Sequence, residues 1–283
     1  MKTVSKIPEL RLQINEWRSN KQSIAFVPTM GNLHAGHLNL VEKALTVADQ
    51  VIVSIFVNPL QFGPHEDYEN YPRTLQADSE KLAKLNTHLL FTPYLTDLYP
   101  TGLENTTSIK VPGLSEILCG ASRPIFFQGV ATVVNILLNL VQPDKALFGE
   151  KDYQQLLIIK RMVADFFMPI EIIGIPIVRE TDGLAMSSRN NYLNAEQRAI
   201  APHLFQILHD IKIKIEAGER NFTKLEHEAK PVLSTAGFKP DYIAVRSQKN
   251  LEIPTPTDKN LIILAAAYLG STRLIDNIFC QIP

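Results

Sequence analysis

Apolar positions along the chain change period several times, and each change marks a boundary between strand and helix. Ile7, Leu10, Ile14 and Trp17 recur at helical spacing, so Ile7 to Trp17 predicts a short amphipathic helix. Ile24-Ala25-Phe26-Val27 is a continuous apolar run that reads as a buried strand, and Leu38 to Leu45 returns to helical spacing. Val51-Ile52-Val53-Ser54-Ile55-Phe56-Val57 is apolar almost throughout, as in a parallel strand covered on both faces. Strand, helix and strand in that order predict a βαβ unit. Thr74 to Leu85 predicts a helix with Leu75, Leu82 and Leu85 inward, and Leu89-Leu90-Phe91 a short strand. The irregular stretch from Thr92 to Phe127 predicts a long excursion with one short strand at Ser108 to Val111.

Gly129 to Val141 is apolar enough for a buried or interfacial helix, one that suits a dimer contact equally well. Ala146-Leu147-Phe148 predicts a strand, Tyr153 to Phe166 a helix with Leu156, Leu157, Ile159, Met162 and Val163 inward, and Ile170 to Val178 the last strand of the sheet, interrupted by Pro176. Beyond Val178 the pattern changes to long amphipathic helices over Ala195 to Ala217 and Phe222 to Ala236. Strands follow near Tyr242 to Val245, Leu261 to Tyr268 and Arg273 to Phe279. The expected fold is α/β, a Rossmann-like parallel sheet over 1–178 followed by a smaller C-terminal α+β domain over 179–283. A chain of 283 residues suits two domains.

Charge narrows the function. With 28 basic against 29 acidic residues, the chain lacks the surplus of Lys and Arg on which binding to a nucleic-acid backbone rests. No apolar run approaches the ~20 residues of a membrane span. The two cysteines, Cys119 and Cys280, make no disulfide framework, and no apolar signal segment follows Met1, so the expected compartment is the cytoplasm.

The chemistry concentrates where strands meet helices. Val27-Pro28-Thr29-Met30-Gly31-Asn32-Leu33-His34-Ala35-Gly36-His37 joins a strand to a helix start. Its glycines permit close backbone approach, and the helix aims N–H groups and positive dipole at the same place, an anion site suited to phosphate. His34 and His37, three residues apart, would project from the first turn to the same side, either as polyphosphate ligands or as satisfied capping residues. A zinc site is a further alternative, but it needs a third and fourth ligand that neither cysteine supplies at a familiar spacing. Asn58 and Gln61 lie just past a strand end, where ligands of open α/β sheets bind. Gly149-Glu150-Lys151-Asp152 forms a second strand-to-helix loop, in which Lys151 can meet an anion and Gln155 can bond a polar substrate. Ser187, Ser188 and Arg189, expected on a mobile loop, combine hydroxyl donors with a planar guanidinium fork, a candidate phosphate clamp.

The pairing of His34-Ala35-Gly36-His37 with Met186-Ser187-Ser188-Arg189 resembles the nucleotide motifs of the nucleotidyltransferase and class I aminoacyl-tRNA synthetase superfamily. Pro28 to His34, Phe56 to Phe62, Tyr71 to Thr74, Phe148 to Gln155, Asp182 to Asn190 and Arg273-Leu274-Ile275-Asp276-Asn277 resemble, in order, the blocks of the pantoate-beta-alanine ligase family. The resemblance implies a reaction in which ATP and pantoate give pantoyl adenylate and pyrophosphate, after which beta-alanine displaces AMP to form pantothenate. It implies an ATP site of Met30, Gly31, Asn32, Leu33, His34, Ala35, Gly36, His37, Gly149, Glu150, Lys151, Asp152, Val178, Met186, Ser187, Ser188 and Arg189. Within it His37 is the proton donor and Lys151 lies near the α-phosphate. Gln61 and Gln155 would hold pantoate, Gln61 would also face beta-alanine, and Mg2+ would accompany ATP. A homodimer, and a second domain acting as a lid, are also implied.

One block departs from the family. After Arg123-Pro124 the usual Gly-His-Phe is replaced by Ile125-Phe126-Phe127, so the histidine is absent. Two other classes share the motifs. An aminoacyl-tRNA synthetase should add a basic, anticodon-reading domain, which the residues after Val178 do not resemble. A nucleotide-binding regulator without catalysis is at odds with retention of His34, His37, Lys151 and Arg189 together.

Overall fold

A computed structural model describes residues 1–63 and 66–282. Its elements are β1 (Lys2–Val4), α1 (Ile7–Ser19), β2 (Ile24–Thr29), α2 (Ala35–Val47), β3 (Gln50–Ile55), α3 (Leu75–Lys84) and β4 (Leu89–Phe91). There follow the single turns α4 (Leu95–Leu98) and α5 (Cys119–Ser122), then α6 (Phe126–Val141), β5 (Lys145–Gly149), α7 (Tyr153–Asp165) and β6 (Glu171–Ile175). The remainder is α8 (Ala195–Ile200), α9 (His203–Glu216), α10 (Phe222–Thr235), β7 (Lys239–Ser247), β8 (Asn260–Leu269) and β9 (Thr272–Gln281). Chain contacts define two compact units, Met1–Glu150 with Gln155–Pro176, and Lys151–Gln154 with Ile177–Pro283.

The first unit holds a six-stranded sheet in the order β1-β4-β3-β2-β5-β6, every pair parallel. Burial on both faces explains the near-continuous apolar strands. Ala25 and Val27 pack with Leu40, Val41 and Ala44 of α2, while the alternate residues Ile24 and Phe26 are buried toward the opposite face. From β2 the chain progresses to β3 on one side, and it later returns to place β5 on the other. The ends of β2 and β5 therefore flank a topological switch point, the place where open α/β sheets bind ligands.

Several expectations change. Ser108 to Val111 forms no strand; instead Ile109 donates its N–H to Thr132 Oγ1 of α6 at 2.9 Å. Leu75 faces out at 46 % exposure and the inward position beside Leu82 is taken by Asp78. The apolar face of α6 is satisfied within the chain, with Val130, Val134, Leu137 and Leu138 buried, so it gives no argument for a dimer. Strand β1, too short for periodicity to reveal, pairs with β4.

His88 ties this sheet together, accepting the Val51 N–H at Nδ1 (2.9 Å). Burial, with the α-amino group of Met1 adding to it, holds the imidazole below its ordinary pKa. A depressed histidine pKa means that the unfolded chain binds the proton more readily. The associated stability is complete above the unfolded value of about 6.5 and is lost as pH falls through the folded value. The expected result is a urea midpoint that drops between pH 7.5 and 5.5 by more in the native protein than in His88→Gln. Parallel profiles would refute it.

The second unit is an antiparallel sheet β7-β8-β9 with α9 and α10 packed on it. Leu204, Ile207, Leu208, Ile211 and Ile215 form the inner stripe of α9, meeting Leu261, Ile263, Ala265 and Ala267 of β8. The single helix expected over Ala195 to Ala217 is two, because Pro202 supplies no N–H and starts α9 afresh. No helix among the described residues is long and apolar enough to cross a membrane.

Candidate functional site

The histidine loop leaves the end of β2 with Gly31 at φ +84° and Asn32 at φ +50°, both left-handed. The torsion favours glycine, and a Cβ at Gly31 would also stand 3.1 Å from Ile55 Cγ2 and 3.3 Å from Asp78 Oδ2, tighter than ordinary contact. The loop is anchored from below by Asp78, which is fully buried. Its Oδ2 accepts the Asn32 N–H and its Oδ1 the Leu33 N–H, each at 2.8 Å, and Thr74 Oγ1 donates to Oδ2 at 3.0 Å. Lys81 Nζ donates to the Leu33 carbonyl at 2.6 Å. The sequence signal for Asp78 was its place four residues before Leu82 on the inward stripe of a helix, where a carboxylate is costly unless bonded.

These bonds revise the expected anion site, because the Asn32 and Leu33 amides are already committed. The histidines do the same at the helix start. His34 Nδ1 accepts the Gly36 N–H (3.1 Å), and His37 Nδ1 accepts the His34 N–H in a longer contact of 3.4 Å, a reciprocal capping box. An Nδ1 that accepts assigns the proton of a neutral imidazole to Nε2. Capping and anion binding thus use different nitrogens, and the two readings of this pair are compatible. The rings lie side by side with centroids 4.0 Å apart.

Past the end of β3, Pro59–Gln61 makes a 3-10 turn. Asn58 is almost fully buried, and its side chain is engaged at both ends: Nδ2 donates to the Gly129 carbonyl (3.1 Å), while Oδ1 accepts the Tyr99 hydroxyl (2.8 Å) and the Leu60 N–H (3.4 Å). Burial pushes the Tyr99 phenol up, so it stays a donor, although its bond to Asn58 opposes the shift. Asn58 therefore holds the turn that carries Gln61. Arg123 holds the same turn, donating to the Gln61 carbonyl at 3.1 Å, and its guanidinium forks onto Glu66. Phe126, where the sequence departs from the expected pattern, has its ring centre 3.6 Å from the guanidinium carbon, a cation–π platform.

Gly129 is the tightest point, since a Cβ there would fall 2.0 Å from the Leu60 carbonyl oxygen. Both groups are backbone, so neither yields without moving α6 or the turn. We expect Gly129→Ala to lose about 2–3 kcal/mol of stability by urea denaturation and to raise the KM of whichever substrate Gln61 contacts. An unchanged midpoint and unchanged KM values would contradict this packing.

Beyond β5 the chain makes a 3-10 turn, Glu150–Asp152, before α7. Glu150 lies in the first unit, where burial raises its carboxyl pKa against the opposing charge of Lys160. Gln155, also in the first unit, is half-buried on the first turn of α7. Lys151, Asp152, Val178, Met186, Ser187, Ser188 and Arg189 belong to the second unit. There Lys151 Nζ is 3.9 Å from Asp152 Oδ2, a loose pair. An isolated bridge between Arg179 and Ala185, with Met186 donating to the Val178 carbonyl at 3.0 Å, forms a short two-sided arm. The arm ends in Ser187, which caps the 3-10 turn Ser188–Tyr192 by accepting the Arg189 N–H at 3.3 Å. Arg123, Glu66, Tyr99 and Asp78 went unread in sequence because each acts on a loop distant along the chain.

Among the described residues no group of three or more His, Cys, Asp and Glu side chains is arranged to hold a metal ion. A magnesium ion carried on a nucleotide needs no such cage, as phosphate and water supply most of its ligands.

A parallel sheet with a histidine-bearing loop at its switch point defines a protein of the nucleotidyltransferase-type α/β fold. Residues 2–279 match the sequence model of the family described as Pantoate-beta-alanine ligase. The chain is 56% identical over 278 residues to the pantothenate synthetase of Pseudomonas aeruginosa, covering 98% of each chain. It is 56% identical over 282 residues to that of Azotobacter vinelandii, covering 100% of each. The crystal structure of pantothenate synthetase from Thermus thermophilus superposes with a TM-score of 0.91 at 43% identity, covering 98% of this chain and 99% of that one. The Francisella tularensis pantoate-beta-alanine ligase, complexed with beta-gamma ATP and beta-alanine, gives a TM-score of 0.84 at 38% identity, covering 98% and 97%. The chain belongs to the pantoate-beta-alanine ligase family, and is an enzyme of the ligase class.

Proposed function

We propose that the protein condenses pantoate with beta-alanine at the expense of ATP, through a pantoyl adenylate. The observation that carries this reading is the pair of imidazoles at the switch point, each with Nδ1 on a backbone N–H and its proton therefore on Nε2. Such donors, fixed before the substrate arrives, stabilise charge that grows on phosphate oxygens. In the first step a pantoate carboxylate oxygen attacks the α-phosphorus of ATP, and the bond to the β-phosphate oxygen breaks to release pyrophosphate. In the second the beta-alanine amine attacks the acyl carbon; AMP leaves, and the nitrogen loses its proton as the amide forms.

His34 and His37 act on the phosphates, with His37 donating a proton, and Lys151 meets the α-phosphate. Met30 to Leu33, Ala35, Gly36, Gly149, Glu150, Asp152, Val178 and Met186 to Arg189 contribute to the nucleotide site. Gln61, held by its turn, and Gln155 bind pantoate. Magnesium, held mainly by the phosphates, would shield their charge. A homodimer is proposed from the family alone.

Pantoate labelled with oxygen-18 in its carboxylate tests the intermediate. Attack on the α-phosphorus carries one labelled oxygen into AMP, so mass spectrometry should find label in AMP and none in pyrophosphate. Unlabelled AMP, or label in inorganic phosphate, would rule out the acyl adenylate.

A further inference from the structure

The closing block Arg273 to Asn277 has no part in the chemistry above, yet Asp276 and Asn277 are among the most buried polar side chains of the second unit, 4% and 2% exposed. Both lie on β9, paired along its length with β8. Arg179 forks onto Asp276, Nη1 to Oδ2 at 2.7 Å and Nη2 to Oδ1 at 2.9 Å. The same guanidinium donates to the Gly183 carbonyl and to the Asn277 carbonyl, each at 3.0 Å, and lies 4.0 Å from the centre of the Phe205 ring. Asn277 N–H returns to Asp276 Oδ1 at 2.7 Å, and its Nδ2 donates to the Lys151 carbonyl at 3.0 Å.

Two elements far apart in sequence therefore hang from adjacent residues of one strand. Gly183, at φ +94°, is the bend of the arm that leads into Met186, Ser187, Ser188 and Arg189. Lys151 is held through its own carbonyl, so the bond to Asn277 does not engage its ammonium, which stands 3.9 Å from Asp152 Oδ2. A planar, bidentate fork fixes angle as well as distance. A buried ion pair adds little net stability over an apolar pair of the same shape, so the geometry points to alignment as its use.

We infer that Asn277 is a positioning residue for Lys151; the Arg179 bonds to Asp276 and Gly183 tie the arm to the same strand. This rests on the reading that Lys151 acts on the phosphates. A double-mutant cycle isolates it, because a residue that works only through Lys151 has nothing to lose once Lys151 is gone.

The measurement is single-turnover release of pyrophosphate from ATP and pantoate, with enzyme in excess so that slow variants register. It is made on the wild type, Asn277→Leu, Lys151→Met and the double variant, with a urea midpoint for each. Asn277→Leu should slow release about tenfold to a hundredfold when Lys151 is present, and less than about twofold in the Lys151→Met background. An equal fold-loss in both backgrounds overturns the inference and makes Asn277 a structural residue. If Lys151→Met releases pyrophosphate at the wild-type rate, the reading of Lys151 fails, and the inference with it, which the pattern of the four rates distinguishes. Should the leucine variant not fold, Asn277→Ala, which removes the amide without new bulk, completes the same cycle under the same expectations.

Discussion

Asp78→Ala is expected to lower the unfolding free energy by about 3–5 kcal/mol and to cut pantoate-dependent pyrophosphate release at least ~100-fold. The carboxylate is fully buried and accepts the Asn32 and Leu33 amides and the Thr74 hydroxyl. Removing it strands the buried Leu33 N–H, worth about 1–3 kcal/mol unsatisfied, and the part-buried Asn32 N–H, and leaves Lys81 without the carboxylate 3.9 Å away. The activity loss follows because those amides fix the backbone of the two residues that precede His34. With that anchor gone, left-handed Asn32 loses the backbone bond to Asp78 that helps hold its torsion, and an imidazole misplaced by an ångström is enough to explain two orders of magnitude. Asp78→Asn keeps the shape and one acceptor oxygen, so it should fall between alanine and wild type on both scales. Urea denaturation and the release assay read the two effects separately. Full activity in a destabilised Asp78→Ala protein would show that the loop holds its geometry without the carboxylate.

His37→Ala should behave differently, losing about 10²–10³-fold in pyrophosphate release while giving up only about 1 kcal/mol of stability. The capping bond that His37 accepts from the His34 N–H is long, 3.4 Å, so the helix start depends on that bond weakly. Its proposed chemical duty is an Nε2–H donor aimed at phosphate, and deleting one preorganised donor typically costs the larger factor. Release that stays within about threefold of the wild type would remove His37 from the mechanism and leave it a helix cap. The two substitutions form a contrast: Asp78 changes stability and rate together, whereas His37 changes rate nearly alone.

Much of the architecture was legible because burial leaves a periodic trace. Strands β2 and β3 announced themselves by apolar runs, since a parallel strand covered on both faces has no polar side to show. Where the trace is short or mixed it failed. Lys2–Val4 is too brief, and Asp78 was passed over because its inward position mimics that of a leucine. Pro202 was visible in sequence, but the amphipathic stripe continues on either side of it, so the break in the helix was masked.

The candidate site divides in the same way. The residue types of the histidine loop, of Lys151 and of Ser187 to Arg189 were readable, because donors and cations beside strand ends imply anion chemistry whatever their exact partners. Left to the tertiary structure was the decision about which polar atoms remain for a ligand. Asn58 is spent on Gly129 and Tyr99, the Asn32 and Leu33 amides on Asp78, and the Lys151 carbonyl on Asn277. Amino-acid order by itself determined the strand and helix pattern and the chemical inventory, since both depend on local period and residue type. Partnership was decided only by the fold, because a hydrogen bond requires two groups within about 3 Å, and these pairs are brought that close only by the packing of distant segments.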